Sequence, residues 1–135
     1  MLLCGFVWGK ATAAASVADA VFLGRVTMIR LVGARGNPTP NEFVYDGELE
    51  VSLEVDRAWK AVTSATVEVL TDAQATACGY PFLVGQYYLV YATQRASTRA
   101  LETGLCSRTK ELQAASADIS ALGPPTYEPT RSKQP

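Results

Sequence analysis

The sequence predicts a mostly β domain: a five-stranded Greek-key barrel of the OB type with a C-terminal α-helix packed on it. Three observations point there. Segments rich in β-branched and aromatic residues recur between turn-forming stretches. One of them alternates apolar and polar residues with period two over its whole length. Near the C-terminus the apolar spacing changes to three and four residues, which marks an amphipathic helix. Five strands are too few for a lipocalin-like barrel of about eight or an immunoglobulin-type sandwich of about seven.

The first strand is expected in "ADAVFLGRVTMIRLV", from Ala18, with Ala20, Phe22, Val26 and Met28 on one face and Arg25 and Thr27 on the other. Gly24 interrupts that inner row, where a strand coils sharply or carries a bulge. "GARGNPTPNE", residues 33–42, is loop chemistry throughout. The second strand has the clearest pattern. Phe43, Tyr45, Leu49, Val51, Leu53, Val55 and Trp59 occupy odd positions, and Asp46, Glu48, Glu50, Ser52, Glu54 and Asp56 even ones. That predicts one buried face and one wet, acidic face, a solvated exterior rather than a metal site. Arg57 breaks the inner row, its stem expected to pack at the rim with the guanidinium in water.

"ATVEVLT", with Val67 and Val69, and the run from Tyr87 to Ala92 supply two more strands, and "RALETGLC" a fifth. In "TKELQAASADISALGPP", Leu112, Ala115, Ile119 and Leu122 form the apolar stripe of the helix. Thr109 suits its N-cap, Gly123 its C-terminal cap, and Pro124–Pro125 forbids continuation. Residues 18–123 therefore read as the domain and 124–135 as a mobile polar tail. Residues 1–17 read as a remnant of an export signal or as a segment packing on the domain. "LLCGFVWG" is apolar and "ATAAAS" small, but no basic residue precedes them and Lys10 falls where the apolar run should end.

Composition narrows function. Histidine is absent, which removes the usual general base, the usual partner of a catalytic serine or cysteine, and the commonest zinc ligand. The expectation is no enzyme and no cofactor; a hydrolase working through Asp72 or Glu111 has nothing else to support it. Net charge is −1 with scattered basic residues, so no electrostatic footprint for nucleic acid or anionic membrane is expected. No apolar run has the length of a membrane span.

Three cysteines, Cys4, Cys78 and Cys106, lack the paired spacing of zinc clusters. Cys78 stands in "ACGYPFLVGQYYLVYA", a turn-rich stretch running into the most strand-like segment. From its setting alone it suits a nucleophile, a metal ligand, half of a crosslink, or core filling.

"ADAVFLGRVT", "VDRAWKAV", "ACGYPFLVGQYYLVYA", "LCSRTKEL" and "DISALG", taken in order, resemble the bacterial relatives of the tissue inhibitors of metalloproteinases, members of the netrin-like domain superfamily. The likeness runs from about Ala18 to Gly123, and its most specific pieces are those around Cys78 and Cys106. It implies an OB barrel, a secreted or extracytoplasmic location and disulfides. Such domains open with Cys-x-Cys, each crosslinked to a later cysteine. Here Cys4 is present, but Phe6 stands in the second place. The resemblance favours a Cys4–Cys78 bridge with Cys106 unpaired, and leaves Cys4–Cys106 and Cys78–Cys106 open. Loop entropy does not choose, giving about 4.5 kcal/mol for the first and about 3.5 kcal/mol for the last.

In the animal inhibitors the first cysteine is the mature N-terminus, and its free amine and carbonyl chelate the protease's zinc. The resemblance thus implies an inhibitory wedge of Cys4, Gly5 and Phe6 with Thr76 and Ala77 beside it, provided that processing exposes Cys4, since residues 1–3 precede it. The function expected is a non-enzymatic protein-binding module, a zinc metalloprotease being one possible partner. The alternative is an OB-type oligonucleotide binder using Tyr87, Tyr88, Tyr91 and Trp59 for stacking, although it lacks a cationic groove.

Overall fold

Apolar residues at both even and odd positions of 20–26 require a strand buried on both faces, and the structure builds the fold around it. The structure, a computed structural model, describes residues 11–32, 47–73, 79–105 and 107–129. Strand β1 (Ala20–Val32) pairs antiparallel with β2 (Glu48–Lys60) along its length, and through Ala20–Arg25 with β4 (Tyr87–Gln94). β2 continues antiparallel into β3 (Thr66–Asp72), and β3 pairs in parallel with β5 (Leu101–Glu102). β5 returns to the end of β4. The pairings therefore run in a closed circuit, β1–β2–β3–β5–β4–β1. A two-residue strand, β6 (Lys110–Glu111), lies against β4 at Tyr88–Leu89.

The sheet's two faces carry separate cores. Ala20, Phe22 and Val26 join Val51, Leu53, Val55, Val69, Tyr88 and Val90 in the first. Val21 and Leu23 join Leu89 and Tyr91 in the second, covered by α1 (Ala11–Val17) through Ala14 and by α2 (Ser116–Leu122) through Ile119 and Leu122, with Ala115 buried just before that helix. Burying an aliphatic side chain stabilises by roughly 1.5–3 kcal/mol, so β1 and β4, which feed both cores, contribute most per residue.

Bulges change the phase anticipated for the first two strands. Val26 faces Leu53 but Met28 faces Ser52, so Thr27 is the extra residue; Met28, expected inside, is 52% exposed. Likewise Gly24 faces Val55, Leu23 faces Arg57 and Phe22 faces Ala58, so Asp56 is extra on β2. Ala58 thereby takes the inner position, while Trp59 packs against the second core and donates Nε1–H to Gly123 O at 2.8 Å. Gly24 sits at such a shift, as its position in the sequence suggested. A Cβ there would lie 2.9 Å from Glu54 O.

The C-terminal segment keeps its apolar face but not its start. Lys110 and Glu111 form β6, Leu112–Ala114 make a 3₁₀ turn, and the α-helix begins only at Ser116. Thr109 does not cap it: its buried Oγ1 accepts the Tyr91 N–H at 2.9 Å. The helix ends at Gly123, whose φ of +76° suits a residue without Cβ. Beyond it, in the tail expected to be mobile, Thr126 and Tyr127 donate backbone N–H groups to Ala58 O at 2.8 and 3.1 Å, and Tyr127 O accepts from Ala58 N–H at 2.8 Å. Residues 11–17 also pack on the domain: Ala11 and Ala14 are buried, and Lys60 Nζ donates to Ala15 O at 3.1 Å and Ser16 O at 3.2 Å. Among the described residues no helix is long and apolar enough to cross a membrane.

Candidate functional site

Cys4, Gly5, Phe6, Thr76, Ala77, Cys78 and Cys106, the residues of the expected disulfide and wedge, lie outside the described residues. The described flanks of residues 78 and 106 converge on the end of β3. Tyr80 donates its N–H to Thr71 Oγ1 at 2.8 Å, and Thr103 donates its N–H to Leu70 O at 3.0 Å. Ala73 N–H reaches Gly47 O at 3.2 Å, which brings the start of β2 to the same end of the sheet.

A cleft of about 320 Å³ opens there, lined by Glu48, Thr71, Asp72, Arg95, Glu102 and Thr103 among others. Within its lining, an ion-pair clasp ties β2 and β5 to Arg95, the residue that follows β4. Arg95 holds the Glu48 carboxylate in a two-pronged contact, one prong 3.1 Å, and donates Nε–H to Glu102 at 2.6 Å. A guanidinium matches paired carboxylates in this way because its N–H donors form a planar fork. The other hydrolytic candidate, Glu111, is on β6 and does not line the cleft, so Asp72 and Glu111 are not gathered into one site.

On the far side of Thr103, a chain of hydroxyls joins the β5–β6 connection to β4. Thr103 Oγ1 lies 2.8 Å from Thr109 Oγ1 and 2.9 Å from Ser107 Oγ, and donates to Tyr91 O at 3.0 Å. Next to it, the Asp118 carboxylate, 4% exposed, accepts from Tyr91 O–H at 2.8 Å and from Arg108 Nε–H at 2.6 Å, with Lys110 Nζ at 3.0 Å. Burial alone would push this carboxyl up, but the hydrogen bonds from Arg108, Tyr91 and Lys110 outweigh it and hold it below the ordinary carboxylate range. Tyr91 moves the other way, its hydroxyl pushed up by burial and then by the bond to Asp118. These groups share one acceptor and point inward, so they fasten α2 to β4.

The aromatics available for base stacking are mostly committed elsewhere. Tyr88 and Tyr91 are 1% and 3% exposed. Trp59 is half-buried with its N–H occupied. Tyr80, Phe82 and Tyr88 cluster with centroids 4.7–5.7 Å apart, Tyr88 meeting the other two rings edge-to-face, and burial pushes the Tyr80 hydroxyl up to about 12. Tyr87 alone of the four named residues is exposed.

The acidic row of β2 is laced with arginines: Glu54 pairs with Arg25 at 3.1 Å, Glu50 with Arg30, and Asp56 with Arg57 at 3.0 Å. Among the described residues no three Cys, Asp or Glu side chains are placed to hold a metal ion. The Arg95 clasp was missed in the sequence. Its members are Glu48, Arg95 and Glu102, and only the topology brings them together. No protein-family model matches the chain, and no curated protein matches it.

Proposed function

We propose that this chain is a non-catalytic, extracytoplasmic protein-binding module of the netrin-like type, with an OB-type barrel that displays its partner-binding residues at one end. The observation that carries the proposal is the closed strand circuit with a single parallel joint between β3 and β5 and a helix at its C-terminal end. It is the arrangement expected of a small barrel that resembles the tissue inhibitors of metalloproteinases. A second support is convergence: residues adjoining Thr76–Cys78 and Cys106 are tied to neighbouring positions of β3, as a rigid base for the proposed wedge would require. Binding by shape also fits charged groups that are spent on one another, in the Arg95 and Asp118 clusters, rather than poised for proton transfer.

Oligonucleotide binding is the weaker alternative. Base stacking needs exposed rings, and Tyr88 and Tyr91 are filled into the two cores. The test is inhibition of a panel of zinc metalloproteases by the purified protein, with and without residues 1–3. Inhibition that appears when Cys4 becomes N-terminal supports the inhibitory form of the proposal. No inhibition by either version ends that form, and a salt-dependent mobility shift with single-stranded DNA would favour the alternative.

A further inference from the structure

β1 outruns its second neighbour. On the β4 side its pairing stops at Arg25, and the turn after Phe82 adds only Gln86 O, which accepts from Val26 N–H at 3.0 Å, and Gly85 N–H, which donates to Val26 O at 2.8 Å. From Thr27 to Val32 the backbone is paired with β2 alone among the described residues. Thr27, Met28, Arg30 and Leu31 are all exposed, Met28 at 52% and Leu31 at 48%. The exposed apolar turn at Leu83 and Val84 borders the Val26 end of this edge.

An edge of this kind carries a row of outward N–H and C=O groups, and the only partner that matches their spacing is another extended backbone. Six residues is the length of an ordinary strand. Charge then selects the partner. The segment 20–32 contains Arg25 and Arg30 and no carboxylate, so a second copy laid along it would bring only arginines across. Glu50 covers Arg30 from the β2 side, yet the Arg30 side chain remains 60% exposed and its other flank lies along the edge that has no strand beside it among the described residues. A carboxylate in a strand added there would complete a Glu–Arg–acid ladder across three strands.

We propose that Thr27–Val32 of β1 is a strand-addition site for an extended, acid-bearing apolar segment of a partner protein. This rests on the proposed role as a binding module and names how the partner docks. The added strand covers Leu31 on the face continuous with the first core and Met28 on the other.

The probe is an acetylated Val-Thr-Val-Glu-Val-Thr peptide, followed by amide shifts and hydrogen exchange of the full chain. Expected are shifts confined to 27–32 and 83–86, and protection of those amides in 27–32 that point away from β2. A version with proline at alternate positions should not bind, because it lacks the backbone donors. Arg30→Glu should weaken the acidic peptide about tenfold and let a lysine-bearing peptide replace it. The inference is overturned if the outward amides are already protected in the free protein. It is equally overturned if the proline peptide binds as well, if shifts fall elsewhere, or if the protein dimerises through this edge without peptide. Metalloprotease inhibition unaffected by Met28→Lys, together with no peptide binding, would remove this site while leaving the module standing. Peptide binding without inhibition would do the reverse for the inhibitory form.

Discussion

Single atoms set the shape of the sheet. At Gly24 the chain passes so close to β2 that an added Cβ would sit 2.9 Å from Glu54 O and 3.3 Å from Leu53 Cβ. The first of these is backbone and cannot swing aside, so relief requires β1 to move away from β2 at the bulge. Gly24→Ala is therefore expected to destabilise by about 1–3 kcal/mol, the usual cost of overpacking. It should lower the urea midpoint without changing the slope. An unchanged midpoint would mean that the two strands are not held at this distance. The sequence already marked this glycine, since nothing else explains a gap in an otherwise apolar row. It did not mark Thr27 or Asp56 as extra residues, because both are ordinary strand residues whose placement depends on which partner they meet.

Elements built on sustained periodicity were legible, and elements built on contact were not. β1 to β4 and the apolar stripe of Leu112, Ala115, Ile119 and Leu122 follow from local pattern. β6 has two residues and exists only because β4 lies beside it. α1 is alanines with one threonine, one serine and Val17, has no charged face to set its period, and packs Ala14 in the same core as Ala115. The residues after Gly123 look like a polar tail, yet Thr126 and Tyr127 hydrogen-bond Ala58 of β2, beyond the last β2–β3 pair at Glu54 and Thr66. The wedge and disulfide residues came from a family resemblance and lie outside the described residues, so nothing local tests them. Removing residues 124–135 is expected to cost about 1–3 kcal/mol, from the lost backbone bonds to Ala58 and the cover that Tyr127 gives the first core. Thermal unfolding of the chain ending at Gly123 measures it. A melting temperature equal to that of the full chain would show that the contact adds no stability.

For the molecule as a whole, the two cores share β1 and β4, so neither is expected to unfold without the other, and pH should act on both through one transition. Asp118 ionises more readily in the folded protein than in the unfolded chain. The stability it contributes is thus present above the unfolded carboxyl pKa of about 4 and is lost as pH falls through the lower folded value. Tyr80, Tyr88 and Tyr91 shift upward, each chiefly by burial. Their contribution is whole below the unfolded tyrosine pKa of about 10 and falls as pH rises beyond it, because the unfolded chain then releases protons that the folded one retains. Stability against pH should form a plateau with an acid limb and an alkaline limb. Asp118→Asn separates them. It leaves Arg108 and Lys110, 20% and 25% exposed, facing a neutral amide in place of a shared carboxylate. A fully buried pair broken this way costs about 3–5 kcal/mol, and partial solvation of the two cations reduces that here to about 2–3 kcal/mol at neutral pH. Below pH 4 the difference between variant and parent should shrink, as the parent's own carboxylate is protonated, while the alkaline limb should survive. Urea midpoints from acid to alkaline pH test all of this together. A constant gap down to the acid end would show that the Asp118 charge is not what fastens the helix to the sheet.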